Sequence, residues 1–263
     1  MACLQLRGTA LGEVQAVLFD KDGTLSISEP QLLTLAEARV FLCVEAAAAQ
    51  LQLEPERLPQ LRRLLELAYG LSPGAICPAG ITAVASRDHN LIATATALVQ
   101  VGVGWPEALA LSEEVFAEAD RADARRAADQ AGATSSTTAG LHAFLAELQG
   151  AGVRCAVISN DDMAGIEHFL ASHQLGTYFA ALWSAEHRPR KPDPAAVHGL
   201  CAELGIAVQQ CALIGDANSD LRMAVAAGIP HQLALGYTAA WSSPPPLAEP
   251  HPLVHHWSEL GLA

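Results

Sequence analysis

Short, nearly unbroken apolar runs that stop at a polar residue recur along the chain. Val14 to Phe19 reads VQAVLF and ends at Asp20. Val153 to Ser159, Cys211 to Ile214 and Gln232 to Leu235 have the same character, and Ala180 to Ser184 is a weaker instance. Their shortness and their Gly and Asp flanks predict buried strands rather than helices. Helical patterns lie between them, at Gly140 to Gln149, Met163 to His173, Pro194 to Leu204 and Leu221 to Ala227. Buried strands alternating with helices predict an α/β fold: a Rossmann-like parallel sheet flanked by helices on both faces.

From about Pro30 to Ala131 the pattern changes. Ala, Leu, Glu and Arg dominate, and no buried strand stands out. Leu32, Leu35, Ala36, Val40 and Val44 repeat at helical spacing, as do Leu61, Leu64, Leu65 and Ala68. The expected organisation is an α/β core over 12–27 and 133–263, with an inserted α-helical domain over 28–132. Ser26 to Pro30 and Gly132 to Thr138, short and polar, are the expected hinges. Ser86 to Asn90, with Arg87, Asp88 and His89, reads as an exposed turn between inserted helices, and SSPPPLAEPHP as a surface loop.

Composition narrows the classes of function. The chain has 263 residues, 51% hydrophobic and 16% charged, with a formal charge of -13. Such a chain can fill a core and is far from disordered. Its acidity argues against nucleic acid or an anionic membrane as partner, since both require basic surface. The six cysteines, Cys3, Cys43, Cys77, Cys155, Cys201 and Cys211, show no metal-ligand spacing and read as reduced thiols. No leader pattern opens the chain and no apolar run is long enough to span a membrane, so a cytoplasmic protein is expected. Of the 15 basic residues only two are lysines, Lys21 and Lys191, and both fall inside the motifs that carry chemistry.

Four polar clusters follow strand ends. Asp20-Lys21-Asp22-Gly23-Thr24 sets two carboxylates two residues apart, with a glycine that lets the chain turn. One can act as nucleophile while the other gives and takes a proton. Gly215-Asp216, with Asp220 four residues on, offers hard oxygen ligands suited to magnesium. Ser159-Asn160 offers a hydroxyl, an amide and following backbone N–H groups for phosphate oxygens. Lys191, between prolines, offers a fixed point charge. Each has an ordinary local reading: a strand-to-turn Asp-Gly, a helix cap, a routine turn, a solvated basic loop. None of these explains why all four occur in order.

On these motifs the chain resembles the haloacid dehalogenase superfamily, in its branch of phosphoglycolate phosphatases and β-phosphoglucomutases with a helical cap after the first strand. The resemblance implies a phosphatase acting on a small phosphorylated metabolite, with Mg2+ as cofactor. It implies Asp20 as nucleophile and metal ligand. Asp22 would be acid/base and would offer its backbone carbonyl to the metal. Ser159, Asn160 and Lys191 would hold phosphate, and Asp216 would ligate the metal, with Asp220 as a further ligand or an outer-shell partner. The cap would close to exclude water and read the leaving group.

The chain departs from that pattern twice. Ile27-Ser28 stands where the branch often has Asp-Ser, and Lys21 stands where a large apolar residue is common. Lysine there matches P-type ATPases, but Asp22 replaces their threonine and no membrane span exists. No lysine lies between Lys21 and Lys191 to form the Schiff base of a phosphonate-cleaving relative. A dehalogenase would need neither Asp22 nor Asp216. A phosphomutase and a non-catalytic phosphate-binding protein share the motifs and stay open. The oligomeric state is not legible in the sequence.

Overall fold

A computed structural model describes residues 2–129 and 135–263. The chain divides into two compact units, one of residues 1–28 with 134–263 and one of residues 29–133. In chain order the first unit contributes β1 (Ala2–Leu6), β2 (Thr9–Val14), β3 (Ala16–Phe19), β4 (Arg154–Ile158), β5 (Phe179–Trp183), β6 (Cys211–Gly215), β7 (Ala234–Tyr237), β8 (Leu253–Val254) and β9 (Leu260–Leu262).

Six of these form one parallel sheet in the order β8-β7-β6-β3-β4-β5. Every residue of β3 and β6 is buried, as a strand covered on both faces requires. Phe19 ends β3 with rings edge-on from Phe144, Phe179 and Trp257. Burying its side chain contributes about 1.5–3 kcal/mol. The helices Leu141–Gly150, Met163–Ser172, Pro194–Leu204 and Asn218–Ala227 cross between strands. Their ends follow local chemistry. Asp162 accepts from Gly165 N at 2.7 Å, and Asp193 accepts from Ala195 N at 2.9 Å ahead of Pro194.

The parallel α/β sheet matches the expectation, with shifted edges. Residues expected to open the strand at Gln232 form a 3-10 turn, His231–Leu233, so that β7 starts at Ala234 and runs on to Tyr237. The chain's first residues carried no strand expectation. They form a small antiparallel sheet in the order β9-β1-β2. Its strands are half-exposed, with Gln5 interrupting the first and Thr9, Gly12 and Glu13 the second, so neither has the unbroken apolar run that marks a buried strand.

The second unit is helical. Glu29–Ala49, Leu58–Tyr69, Arg87–Gln100 and Trp105–Asp129 are its long helices. The first buries Ala36, Arg39, Val40, Cys43, Val44 and Ala47, and the second buries Leu61, Leu65 and Tyr69. Ser86 to Asn90 is not the expected exposed turn. It begins a helix, with Ser86 as N-cap and Asn90 buried, its amide donating to the carbonyls of Ile81, Ala85 and Ser86. The expected boundary at 132/133 and the hinge residues 132–134 lie outside the described residues. The rest of that hinge, Ser136–Thr137, pairs antiparallel with Ser26–Ile27. Among the described residues no helix is long and apolar enough to cross a membrane.

Candidate active site

The β3–β6 pairing aligns Phe19 with Ile214, and the β3–β4 pairing aligns Phe19 with Val157. Asp20, Ser159 and Asp216 therefore leave the sheet at adjacent strand ends, where open parallel sheets bind ligands. Asp20 N donates to Ile214 O at 2.9 Å and ties two of those ends together. The helix Asn218–Ala227 starts just beyond β6 and puts Asp220 in its first turn, buried.

Carboxylate oxygens of Asp20, Asp216 and Asp220 lie within 4.8 Å of one another, all three residues buried. Two glycines make this convergence possible. Gly23 has φ +82, and a Cβ there would stand 2.2 Å from Asp216 Oδ2. A Cβ on Gly215 would stand 2.6 Å from Asp220 Oδ2. Lys191 comes from a loop between β5 and the next helix. Its Nζ lies 2.7 Å from Asp20 Oδ1, 2.7 Å from Asp220 Oδ1 and 3.2 Å from Ile158 O.

These charges are packed tightly. Burial pushes the Asp20 carboxyl up to about 7, Asp220 adding to the push and Lys191 opposing it. Burial and the charges of Asp20 and Asp220 push Asp216 well above the ordinary carboxylate range. Burial alone would lower the Lys191 ammonium, but Asp20 and Asp220 reverse that and hold it above its usual value. Three hard oxygen donors that repel one another around one lysine suit a small divalent cation.

Asp22 stands apart from this cluster. Its Oδ1 takes the Lys21 ammonium at 2.7 Å, the Ser28 hydroxyl at 2.6 Å and the Ser26 hydroxyl at 3.2 Å. Burial would raise the Asp22 carboxyl, but Lys21 and the two hydroxyls outweigh it and leave it lowered. Lys21 also reaches Asp161 Oδ2 at 3.0 Å. Lys21 is thus turned to Asp22 and Asp161, and the ammonium on Asp20 belongs to Lys191. Ser159 N donates to Trp183 O, and its hydroxyl oxygen accepts from Asp161 N. Asn160 follows, half-buried, in the loop before the helix Met163–Ser172.

A family model described as haloacid dehalogenase-like hydrolase matches residues 14–228. The chain belongs to this hydrolase family. A phosphoglycolate phosphatase of Neisseria meningitidis is 26% identical over 230 residues, 87% of this chain and 82% of that one. One from Photobacterium profundum is 29% identical over 46% of this chain and 53% of its own length. With several such relatives the match thus spans about half of their length. A solved structure titled as a predicted phosphoglycolate phosphatase from Haemophilus somnus superposes with a TM-score of 0.58 at 18% identity. It covers 94% of this chain and 96% of the other. That likeness concerns the fold.

Two further residues at this site carried no expectation from the sequence. Trp241 Nε1 donates to Asp216 Oδ2 at 2.6 Å from a loop 25 positions away. A lone tryptophan in a loop gives no sequence signal. Asp161 directly follows Ser159-Asn160, and only its contact with Lys21 distinguishes it from an exposed turn residue.

Proposed function

We propose that this hydrolase cleaves a small phosphate monoester by transferring the phosphoryl group to Asp20 and then to water. One observation carries the reading. Asp20, Asp216 and Asp220 converge at strand ends, with Lys191 bound to the first and last of them. Asp20 attacks phosphorus opposite the ester oxygen, and Asp22 gives that oxygen a proton. Asp22 then takes a proton from the water that frees phosphate. Lys191, with Ser159 and Asn160, holds the phosphoryl oxygens. The core unit carries this chemistry. The relatives' names make phosphoglycolate the first substrate to try, and the free cysteines favour a reducing, cytoplasmic setting.

Magnesium is the cofactor of this reading, held by Asp20, Asp216 and Asp220 with the backbone carbonyl of Asp22. When bound, it neutralises phosphate charge. Trp241 occupies Asp216 Oδ2, so Oδ1, which accepts from the Thr24 hydroxyl at 3.5 Å, would be the oxygen offered to the ion. Trp241→Phe should therefore weaken magnesium about 10–100-fold, measured by titration calorimetry. Unchanged affinity would contradict this role.

The raised carboxyls add a pH dependence. A native pKa above the ordinary 3.8 favours the fold at low pH, and that contribution is lost as pH rises through about 7. Bound magnesium replaces those protons. The increase in Tm on adding magnesium should accordingly be larger at pH 8 than at pH 5. A pH-independent increase would contradict the carboxylate site.

The functional test is phosphate release from a panel of phosphorylated metabolites, with and without magnesium. Magnesium-dependent release led by one substrate supports the proposal. Isomerisation of a sugar phosphate without release would make the chain a phosphomutase. No reaction and no magnesium binding would leave a phosphate-binding protein.

A further inference from the structure

We infer that Cys201 and Cys211 form a reversible oxidation site, a dithiol that a low-molecular-weight disulfide such as glutathione disulfide converts to an intramolecular disulfide. The site stands whether or not Asp20 is a nucleophile. The two sulfurs lie 3.6 Å apart, in contact, and the residues are 1% and 0% exposed. Both are free thiols. Other buried cysteines of the chain have a different setting: burial pushes the thiols of Cys43 and Cys155 up to about 12, which leaves them inert.

A short turn brings the pair together. Cys201 is buried near the end of the helix Pro194–Leu204. Gly205, at φ +65, ends that helix, and its N–H donates to the carbonyls of Cys201 and Ala202. Ile206 N donates to Cys201 O at 3.0 Å. A 3-10 turn, Val208–Gln210, then delivers Cys211 to the start of β6. The Cys211 S–H has two acceptors in reach, Cys201 Sγ and, at 3.5 Å, Ala207 O in the same turn. A disulfide holds its sulfurs about 2.05 Å apart, so these must close by about 1.5 Å. The turn can yield that much. Gly205, Ala207 and Gln209 are exposed, and a Cβ on Gly205 would have nothing within 4 Å. Opening of the same turn lets a small oxidant reach the sulfurs.

The thiolate is the attacking species in disulfide exchange. The hydrogen bond from Cys211 holds Cys201 below the ordinary thiol value, against burial, while that bond and burial raise Cys211. Cys201 therefore attacks first. Its sulfur bonds to one sulfur of glutathione disulfide, the bond between the two glutathione sulfurs breaks, and one glutathione leaves as thiolate. Cys211 then gives up its proton and bonds to the Cys201 sulfur, expelling the second glutathione. The two cysteines lose two electrons and two protons, and glutathione disulfide is reduced to two thiols. In a reducing setting the dithiol is the resting form. Once oxidised, the link closes the turn between Cys201 and Cys211 and restricts the unfolded chain, so the core is reinforced when reducing conditions fail.

Peptide mapping tests this directly. Wild-type protein, reduced and then freed of reductant, would be treated with excess glutathione disulfide, alkylated, and cleaved after glutamate without reduction. Glu203 lies between the two cysteines, so the fragments carrying Cys201 and Cys211 should stay joined. The link should raise Tm by roughly 5 °C, and dithiothreitol should reverse both effects. Cys77, which is exposed, supplies the comparison and should keep a glutathione adduct. Cys211→Ser should leave glutathione on Cys201 as well, since no second thiol expels it, and should gain no Tm. Recovery of Cys201 and Cys211 as alkylated thiols under conditions that modify Cys77 would overturn the inference. So would a glutathione adduct that persists on either of them in the wild type. The wild-type map alone decides between these results if Cys211→Ser does not fold.

Discussion

Asp20→Asn is expected to lower turnover of any phosphate ester this protein accepts by at least about 1,000-fold, with the fold retained. The amide has nearly the carboxylate's shape but is a far weaker nucleophile. The change also removes one charge from a crowded cluster. Asp20 is pushed up to about 7 by burial and by Asp220, so the ionised carboxylate is costly there. Neutralising it relieves some repulsion with Asp216 and Asp220 and leaves Lys191 with one remaining ion-pair partner. Thermal stability should therefore change little while activity collapses. Magnesium affinity should fall too, since one of three anionic ligands is lost. Circular dichroism, calorimetry and a phosphate-release assay on one preparation would check the three expectations together. Activity near wild type would remove Asp20 from the nucleophile role.

Lys191→Met should do the opposite kind of damage, losing both activity and stability. Its ammonium lies 2.7 Å from carboxylate oxygens of Asp20 and Asp220, and all three side chains are under 10% exposed. Removing the cation leaves two buried carboxylates facing each other and Asp216. Breaking a buried pair from one side costs about 3–5 kcal/mol, or a Tm drop of roughly 10 °C in a chain of this size. Methionine keeps the bulk, so packing alone does not account for the loss. Turnover should fall about 100–1,000-fold, the usual effect of removing one preorganised donor. The stability loss should shrink with magnesium present, because the ion relieves the same repulsion. A variant with unchanged Tm and activity would place the working cation elsewhere.

What could be read from the sequence follows from how local each signal is. The strands ending at Asp20, Ser159 and Asp216 are buried on both faces, so their apolar runs are nearly continuous. The helix start at Asn218 sets Asp220 in a first turn, where its short spacing from Asp216 had meaning. Those residues converge because parallel strands bring their ends together, a property of the fold class. The half-exposed strands Ala2–Leu6 and Thr9–Val14 have no such signature. Ser86 to Asn90 misled because a helix opening on Ser, Arg, Asp and His looks like a polar turn until Asn90 is seen buried. Trp241 and Asp161 act through side-chain contacts to distant residues, which no periodicity records. Lys21 was conspicuous in the sequence, but its direction was not: a neighbour on an extended chain can face either way, and Asp161 decides it.

The central claim is a covalent phosphoryl group on Asp20, and trapping tests it most directly. Turnover of p-nitrophenyl phosphate by Asp22→Asn, with magnesium, would be quenched in acid and reduced with borohydride. That variant lacks the base for the second step, so the phosphoenzyme should accumulate. The account predicts homoserine at position 20, found by peptide mass spectrometry and lost when Asp20→Asn is added. Nitrophenol released with no modified residue at position 20, or with the mark on another carboxylate, would contradict it.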